Sequence, residues 1–159
     1  MVVAARTEDW ELIKRIATDP AIWPHISDDF SPYPEAWEPN PALTYIQVSD
    51  EEQALGFFLL VAFSPILWEV HTALLPAAWG SASLACAKAL LDWVWTNTPC
   101  ERLITTVPDV NRLAFRFALK AGMKKYGANP RSYQKDGILH NTILLGLDRP
   151  QGKTSQSCQ

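Results

Sequence analysis

The sequence has few cysteines and no arrangement of them that suggests a metal or redox site. Its three cysteines, Cys86, Cys100 and Cys158, form no CxxC pair and have no histidine cluster beside them. This pattern predicts no metal site and favours a reducing, cytoplasmic location. Cys86 lies among apolar residues of a predicted helix, where cysteine normally acts as a small buried hydrophobic residue.

The sequence also lacks a long run of charges of one sign. Its formal net charge is −3, which excludes a broad electrostatic surface for nucleic acid or acidic lipids. We therefore expect neither nucleic acid nor a membrane as a partner. Strongly basic partners remain open.

No apolar segment is long enough to span a membrane. The most apolar run, ALGFFLLVAFSPILW (residues 54–68), is interrupted by Ser64 and Pro65 and is shorter than the roughly 20 residues that a spanning helix needs. It predicts two buried strands. The N-terminal MVVAARTEDW reaches an acidic pair before the apolar core of a signal peptide can form.

The chain has no internal repeat, and its apolar content of 48% suffices for one globular domain. We place this domain at residues 1–149. The small and polar residues 150–159 predict a disordered tail.

Periodicity and turn signals predict the order helix, three strands, helix, strand, helix and hairpin. Thr7 is the expected cap of the first helix, with Trp10, Ile13 and Ile16 on one face. Residues 22–41, IWPHISDDFSPYPEAWEPNP, predict an ordered irregular loop with short helical turns. A loop this long within a compact domain is usually functional or mobile.

The strands and helices that follow have clear boundaries. Three antiparallel strands are predicted at residues 43–48, 54–63 and 67–75, then a helix at 80–96 and a strand at 102–107. The helix at 80–96 places Leu84, Ala87, Leu91 and Trp95 on one face. Asn111 opens the last helix, Gly122 closes it, and Asp136-Gly137 marks the final hairpin.

The start of the helix at residue 80 suits a phosphate group. Gly80, Ser81, Ala82 and Ser83 are small and uncharged, and no acid follows until Asp92. The first amide N–H groups of a helix are unpaired and carry a partial positive charge, so they can hold a phosphate without basic side chains. Alternatively, Gly80 supplies only a turn, and the small residues let the helix pack closely on a sheet.

Two motifs resemble those of the Gcn5-related N-acetyltransferases, the GNAT superfamily. Leu74-Leu75-Pro76 followed by Gly80-Ser81-Ala82 is similar to the strand end and diphosphate loop of that superfamily. Downstream, NRLAFRFALKAGM (residues 111–123) matches the pattern N-x-x-A-x-x-x-Y-x-x-x-G-F at Asn111, Ala114 and Gly122, with Met123 at the Phe position.

The resemblance implies an α+β fold with a mixed, largely antiparallel sheet that is flanked by helices and splayed between strands 4 and 5. It also implies transfer of an acetyl group from acetyl-CoA to an amine. By this resemblance, the residues expected to hold acetyl-CoA are Leu74, Leu75, Trp79, Gly80, Ser81, Ala82, Ser83 and Asn111.

The sequence departs from the superfamily at three positions. Ala77 replaces the usual Gln or Arg of the diphosphate loop, and Trp79 stands where Arg is common. More of the affinity for the diphosphate must then come from backbone amides and from Ser81 and Ser83. Ala118 occupies the position of the tyrosine that protonates the departing thiolate in many members.

A finer resemblance is to the RimJ and RimL branch, which acetylates protein N-terminal amines. In WEVHTALLPAAWG, Glu69 falls on the glutamate of that branch, and DGILHNTILLGLDRP is similar to its closing pattern, with Asn141 at the usual Asp position. The chain also resembles phage-encoded GNAT-like proteins in general appearance.

Glu69 and His71 are the candidates for a general base that deprotonates the amine. They lie two residues apart on a predicted strand and therefore share one face. The alternatives are that Glu69 is a solvated strand residue, that His71 is a hydrogen-bonded structural histidine, or that a β-bulge turns the pair to the opposite face of the sheet. Neither Tyr126 nor Tyr133 has a position that justifies a general-acid role, and a thiol pKa of roughly 8.5 lets the thiolate leave unprotonated.

The loop HISDDF contributes His25, Asp28 and Asp29. By the resemblance, this segment borders the acceptor site, where carboxylates attract a cationic amine. The alternative is that both aspartates are ordinary loop and cap residues.

The leading hypothesis is thus an acyl-CoA-dependent N-acetyltransferase acting by direct attack of a primary amine on acetyl-CoA. The acceptor is a small amine or a protein or peptide amine, either an N-terminus or a lysine. One alternative is a non-catalytic GNAT-fold binding or assembly module, with or without retained CoA binding. Another is an unrelated α+β domain that lacks the splay. The sequence leaves open whether the protein forms a homodimer.

Overall fold

The computed structural model describes residues 1–51 and 53–152, in which seven strands form one sheet. The spatial order is β1-β2-β3-β4-β5-β7-β6, and neighbours are antiparallel except for β4 and β5. This is the predicted α+β class. The strands are β1 (Val2–Thr7), β2 (Thr44–Asp50), β3 (Gln53–Ala62), β4 (Leu67–Leu74), β5 (Arg102–Pro108), β6 (Lys124–Lys135) and β7 (Ile138–Asp148).

Helices cover both faces of the sheet. They are α1 (Trp10–Ala17), α2 (Trp23–Ile26), α3 (Ser81–Asn97) and α4 (Arg112–Lys120), with 3-10 turns at Pro34–Ala36 and Pro76–Ala78. The loop at residues 22–41 therefore has the short helical turns that its sequence predicts. Among the described residues, no helix is both long and apolar enough to cross a membrane.

The first strand and the first cap differ from the sequence prediction. β1 was not expected, yet it pairs along its whole length with β2 at the edge of the sheet. Thr7 does not cap α1. The cap is Asp9, whose carboxylate accepts a hydrogen bond from the Leu12 amide at 3.0 Å, while the Thr7 hydroxyl accepts one from the Asp9 amide.

Two hydrophobic cores lie on opposite faces of the sheet. The larger joins α3 and α4 to one face through residues such as Phe58, Val70 and Leu103, and the smaller joins α1 to the other through Ile13 and Phe57. On α3 the predicted apolar face is only partly right. Ala87 and Trp95 are buried, together with Cys86, Leu90 and Val94, but Leu84 is 42% exposed.

The sheet opens between its two parallel strands. β4 and β5 pair only through Leu67↔Arg102, Trp68↔Leu103 and Glu69↔Ile104. Beyond Glu69, β4 remains paired with β3 as far as Leu74, and β5 remains paired with β7 as far as Pro108. The predicted splay between strands 4 and 5 is confirmed, which removes the alternative of an α+β domain without one.

The C-terminal hairpin turns at Asp136-Gly137, as predicted, and both residues have positive φ angles of 53° and 75°. Of the predicted tail, residues 153–159 lie outside the described residues, and so does Cys158.

Candidate functional site

The first turn of α3 presents free backbone amides. Gly80 occupies the N-cap position with φ 79° and ψ −132°, and its cap position makes no side-chain hydrogen bond. Gly80 and Ser81 are exposed, and no atom lies within 4 Å of the position of a Cβ at Gly80. The Ser83 hydroxyl turns back to donate to the Gly80 carbonyl at 2.6 Å. Within the described part of the chain, the amides of Ser81 and Ala82 have no hydrogen-bond partner.

This geometry fits a diphosphate that is bound without cations. Residues 16–87, which include the whole approach to α3, contain no lysine or arginine. Within this stretch, the groups that can bind a phosphate are the helix amides, aided by the helix dipole. The Ser83 hydroxyl has its proton committed to Gly80, so a direct bond from Ser83 to phosphate requires that the hydroxyl rotate.

Trp79 closes the end of β4. Its indole N–H donates to the Leu74 carbonyl at 2.9 Å, and the residue remains 49% exposed. The amide of Leu75 donates to the Leu55 carbonyl at 2.8 Å, which holds the end of β4 against β3. Trp79 thus fixes the loop by a hydrogen bond and leaves part of its ring open beside the start of α3.

The free edge of β4 lines the gap. The Val70 carbonyl accepts a hydrogen bond from the Thr105 hydroxyl at 2.9 Å across the gap, and the Leu74 carbonyl faces Trp79 on the same side. Since backbone groups alternate in direction along a strand, the N–H and C=O of Thr72 also face the gap. They can pair with an extended, amide-containing chain.

Glu69 and His71 meet at the point where the strands diverge. His71 Nε2 lies 2.6 Å from Glu69 Oε1, and the Thr106 hydroxyl donates to Glu69 Oε2 at 3.2 Å. The expected shared face is therefore observed. The side chain of Glu69 is 17% exposed and that of His71 is 46% exposed, so the histidine is the more accessible partner.

The electrostatics of this pair suit the two side chains to different roles. The hydrogen bond from His71 lowers the pKa of Glu69, the charge of His71 and the Thr106 hydroxyl add to this effect, and burial opposes it. A carboxylate with a lowered pKa is a weaker proton acceptor. Glu69 is thus suited to orient His71 through Nε2, which leaves Nδ1 free to take a proton.

The carboxylates of Asp28 and Asp29 are engaged within their own loop. Asp29 accepts hydrogen bonds from the amides of Asp136 and Gly137, both at 2.8 Å, and from the Gln134 side chain at 3.1 Å. These bonds, with Gly137 foremost, lower the pKa of Asp29. Asp28 accepts from the Phe30 amide at 2.9 Å and from the Ser31 hydroxyl at 3.1 Å.

His25 and Asn111 line a separate pocket of about 280 Å³, together with Tyr133 and Lys135. Asn111 also caps α4, since its side-chain oxygen accepts from the Ala114 amide at 3.1 Å. The Tyr133 hydroxyl donates to the Ser27 carbonyl at 2.9 Å, and burial raises its pKa. Within the described part of the chain, no hydrogen bond joins His25 to Asp28 or Asp29.

Thr105 and Thr106 were not predicted as site residues. They lie on β5 where the sheet opens, and their hydroxyls donate to the Val70 carbonyl and to the Glu69 carboxylate. Two consecutive threonines on a strand beside the fork are a weak signal, because threonine is common in strands. Ala118, at the usual tyrosine position, is 5% exposed and belongs to the larger core. Among residues 1–51 and 53–152, no group of His, Cys, Asp or Glu side chains could hold a metal ion.

Comparison with solved structures shows that the chain shares its fold with several acetyltransferases. An acetyltransferase of the GNAT family from Bacillus anthracis is 16% identical with a TM-score of 0.72, over 92% of this chain and 94% of that chain. The Vibrio cholerae spermidine N-acetyltransferase in complex with CoA and spermine is 14% identical with a TM-score of 0.69, over 96% of both chains. A chimera of the Vibrio cholerae enzyme is 14% identical with a TM-score of 0.76, over 92% of this chain and 95% of that chain.

These similarities establish the GNAT fold. The RimJ and RimL branch and a phage origin stay predictions. A search of curated protein sequences finds no match. A family model described as "Protein of unknown function (DUF2824)" matches residues 10–148, so the chain belongs to the DUF2824 family.

Proposed function

We propose that the protein is an acetyl-CoA-dependent N-acyltransferase that acetylates a primary amine in the cytoplasm. One observation carries this proposal. A single gap in the sheet has the hydrogen-bonded pair Glu69 and His71 at its closed end and the uncapped start of α3 at its open end. The five residue steps from Glu69 to Leu74 span about 16 Å, a length that suits the extended arm of a coenzyme.

The residues of the gap would divide the binding of acetyl-CoA between them. The amides of Ser81 and Ala82 would hold the diphosphate, and the backbone of Thr72 would pair with the arm. Trp79 and Leu75 would form the wall at the strand end. Acetyl-CoA supplies a thioester as the acyl donor. The fold supports this arrangement, since one neighbour of the same fold is in complex with CoA.

We assign proton removal to His71. The acceptor ammonium gives a proton to Nδ1 of His71, and Glu69 stabilises the resulting imidazolium through Nε2. The amine nitrogen then attacks the thioester carbonyl and forms the C–N bond. The tetrahedral intermediate loses a second proton from nitrogen to solvent, and the C–S bond breaks to release the CoA thiolate. His71 is the catalytic residue and Glu69 is a positioning residue. Because Ala118 offers no proton and the Tyr133 hydroxyl bonds to Ser27, the thiolate leaves without a tyrosine donor.

The acceptor is a small amine or a protein or peptide amine. The likeness to a spermidine N-acetyltransferase favours a small amine, and the sequence resemblance to the RimJ and RimL branch favours an N-terminus. We place the acceptor on the face of the sheet that carries Glu69 and His71, with His25 near its approach. Asp28 and Asp29 would act there mainly by shaping the loop, since their oxygens already accept hydrogen bonds.

The proposal is tested by turnover and CoA affinity in matched variants. We expect His71→Ala to lower turnover by about 10²- to 10⁴-fold, the usual contribution of a general base, with the dissociation constant of CoA unchanged. Glu69→Gln should lower turnover less and shift its pH profile. His140→Ala, a partly exposed histidine beside Asp109, is the matched control and should retain full turnover. Full activity in both site variants would remove this assignment.

A non-catalytic module is the second candidate, and two observations favour it. Ala118 replaces the usual proton donor with a buried methyl group, and no lysine or arginine precedes α3 in residues 16–87. Calorimetry with CoA, combined with thioester consumption across a panel of amines and peptides, separates the two functions. Binding without consumption selects a module that retains CoA binding, and the absence of both heat and thermal shift excludes the enzyme.

A further inference from the structure

The pocket of about 280 Å³ has a lining that contains cations and, among the described residues, no acid. Three of its side chains can carry a positive charge, His25, Arg112 and Lys135, and the remainder are mostly apolar. Small-molecule sites usually have volumes of about 300–1,000 Å³. A pocket just below this range has room for a small molecule or for one end of a longer one.

Arg112 is the cation of this pocket that remains uncommitted. Its side chain is exposed, and within the described residues it forms no ion pair. The ammonium of Lys135, in contrast, donates to the carbonyl oxygens of Pro24 and Ser27 at 3.1 and 2.8 Å. Asp29 lies close enough to offset part of the charge of Lys135. The pocket therefore offers one free guanidinium, which matches a ligand group with a single negative charge.

A carboxylate is the group that fits these surroundings best. The planar fork of a guanidinium pairs with the two oxygens of a carboxylate through two parallel hydrogen bonds. A phosphate monoester carries up to two charges and needs further donors, whereas the ammonium of Lys135 is already engaged. Val110 and Leu113 line the same pocket and are exposed. Their side chains suit the carbon chain that carries a carboxylate.

The pocket adjoins the pair of Glu69 and His71. The Thr106 hydroxyl donates to the Glu69 carboxylate, and Pro108, which lines the pocket, lies two residues further along β5. Residues two apart on a strand point to the same face of the sheet and are about 7 Å apart. His25 contributes to the lining from α2. An acceptor with its amine at His71 can therefore extend its other end into this pocket.

We propose that the pocket selects primary amines that carry a carboxylate at the far end of a short carbon chain. The amine nitrogen lies at His71, the chain lies against Pro108 and Leu113, and the carboxylate pairs with Arg112. In 6-aminohexanoate six bonds separate the nitrogen from the carboxylate carbon, and six extended bonds span about 7 Å, the length of two residues. The acceptors are thus ω-amino acids of about this length. This inference rests on the proposed acetyl transfer and narrows it to one class of acceptor.

Three amines of equal length isolate the contribution of the carboxylate. At the far end, 6-aminohexanoate carries a carboxylate, hexylamine a methyl group and 1,6-diaminohexane a second ammonium. At low salt we expect kcat/KM to be about tenfold or more higher for 6-aminohexanoate than for hexylamine, the usual effect of hydrogen bonds to a charged group. The diamine should be the poorest acceptor of the three.

Two variants of α4 test the role of Arg112. Arg112→Gln should lower kcat/KM for 6-aminohexanoate by about tenfold and so remove the preference over hexylamine. Arg116→Gln removes an exposed cation one turn further along α4, outside the lining of the pocket. It is the matched control and should keep the preference. Circular dichroism melting verifies that both variants are folded.

A binding measurement that needs no turnover distinguishes failure of this inference from failure of the proposed function. Hexanoate has no amine and cannot be acetylated. In an NMR titration without CoA, it should bind the intact protein and the Arg116→Gln variant at millimolar concentration, and Arg112→Gln should weaken this binding by about tenfold.

Equal kcat/KM for 6-aminohexanoate and hexylamine, or fastest acetylation of the diamine, would overturn this inference and leave the proposed function standing. Hexanoate binding that is absent, or that is equal in the intact protein and Arg112→Gln, would also overturn it. Hexanoate binding that depends on Arg112, without acetylation of any amine, would retain the pocket as a carboxylate site and remove the proposed function.

Discussion

Replacement of Gly80 tests whether the backbone amides at the start of α3 bind the diphosphate of CoA. Gly80 has φ 79° and ψ −132°, a conformation that side-chain-bearing residues adopt at a cost of about 1–3 kcal/mol. Because no atom of residues 1–51 or 53–152 lies within 4 Å of a Cβ at this position, the added atom meets no neighbour among them. Gly80→Ala therefore introduces backbone strain alone, and Gly80→Asp adds a carboxylate to the same strain.

The difference between these two variants isolates the charge. A carboxylate about 5 Å from each of two phosphate charges costs about 0.8 kcal/mol per pair in a water-like dielectric, or about 1.7 kcal/mol in total. This value suits an exposed site and corresponds to affinity about 15- to 20-fold weaker for Gly80→Asp than for Gly80→Ala. A drier site would give a larger difference.

Isothermal titration calorimetry with CoA at low ionic strength measures this difference. Thermal melting of both variants verifies that the strain has the same effect on their stability. Gly80→Asn provides a third variant with a side chain of similar size to aspartate and no charge, and it should bind like Gly80→Ala. Equal CoA affinity in Gly80→Asp and Gly80→Ala would refute the reasoning, because the diphosphate would then lie elsewhere.

Two further predictions concern the scaffold around the site. Asn111→Ala removes the side-chain cap of α4 and should lower the free energy of unfolding, measured by urea denaturation, by about 0.5–2 kcal/mol. Asn111→Ser should recover most of this loss. Equal stability of all three proteins would show that the cap contributes nothing. Burial raises the pKa of the Cys100 thiol to about 11, so in a Cys158→Ser background the native protein should not react with a thiol reagent at pH 8 until it is denatured. The raised pKa also means that the free energy of unfolding falls as pH rises from about 9 to about 11, because over this range the unfolded state loses the Cys100 thiol proton and the native state keeps it. Rapid labelling of the native protein at pH 8 would contradict this account.

Most of the sheet could be predicted because its strands are bounded by clear turn signals. The predicted boundaries of β2 to β5 agree with the structure to within about two residues, and the Asp136-Gly137 turn lies where its sequence indicates. β1 was missed because Val2–Thr7 lies at an edge, where only one side pairs and a short alternating pattern gives little signal. Its pairing with β2 is a contact between distant parts of the chain, which local periodicity does not show.

The geometry of the candidate site could be predicted where it depends on spacing along one strand. The two-residue spacing of Glu69 and His71 sufficed to place both on one face, and the small residues from Gly80 onward sufficed to suggest open amides. The partners of the aspartates could not be inferred. Asp29 is held by a turn that lies more than a hundred residues away in the sequence. Trp79 stands where arginine is usual, and its indole N–H donates to the Leu74 carbonyl.

The acids beside the start of α3 predict an unusual response of CoA affinity to salt. A pocket of about 630 Å³, roughly 10 Å across, has Glu51 and Asp50 in its lining together with Ala77 and Ala82 beside the start of α3. Most phosphate sites lose affinity as salt screens their lysines and arginines. Here Asp50 forms an ion pair with the N-terminal ammonium of Met1 at 2.5 Å, so Glu51 is the uncompensated acid among the described lining residues. Screening should remove its repulsion and strengthen CoA binding by up to about fourfold between low and high salt. Glu51→Gln should bind CoA more tightly at low salt and lose this dependence. Affinity that falls as salt rises would show that cations from another part of the molecule reach the diphosphate, and that backbone amides do not hold it alone.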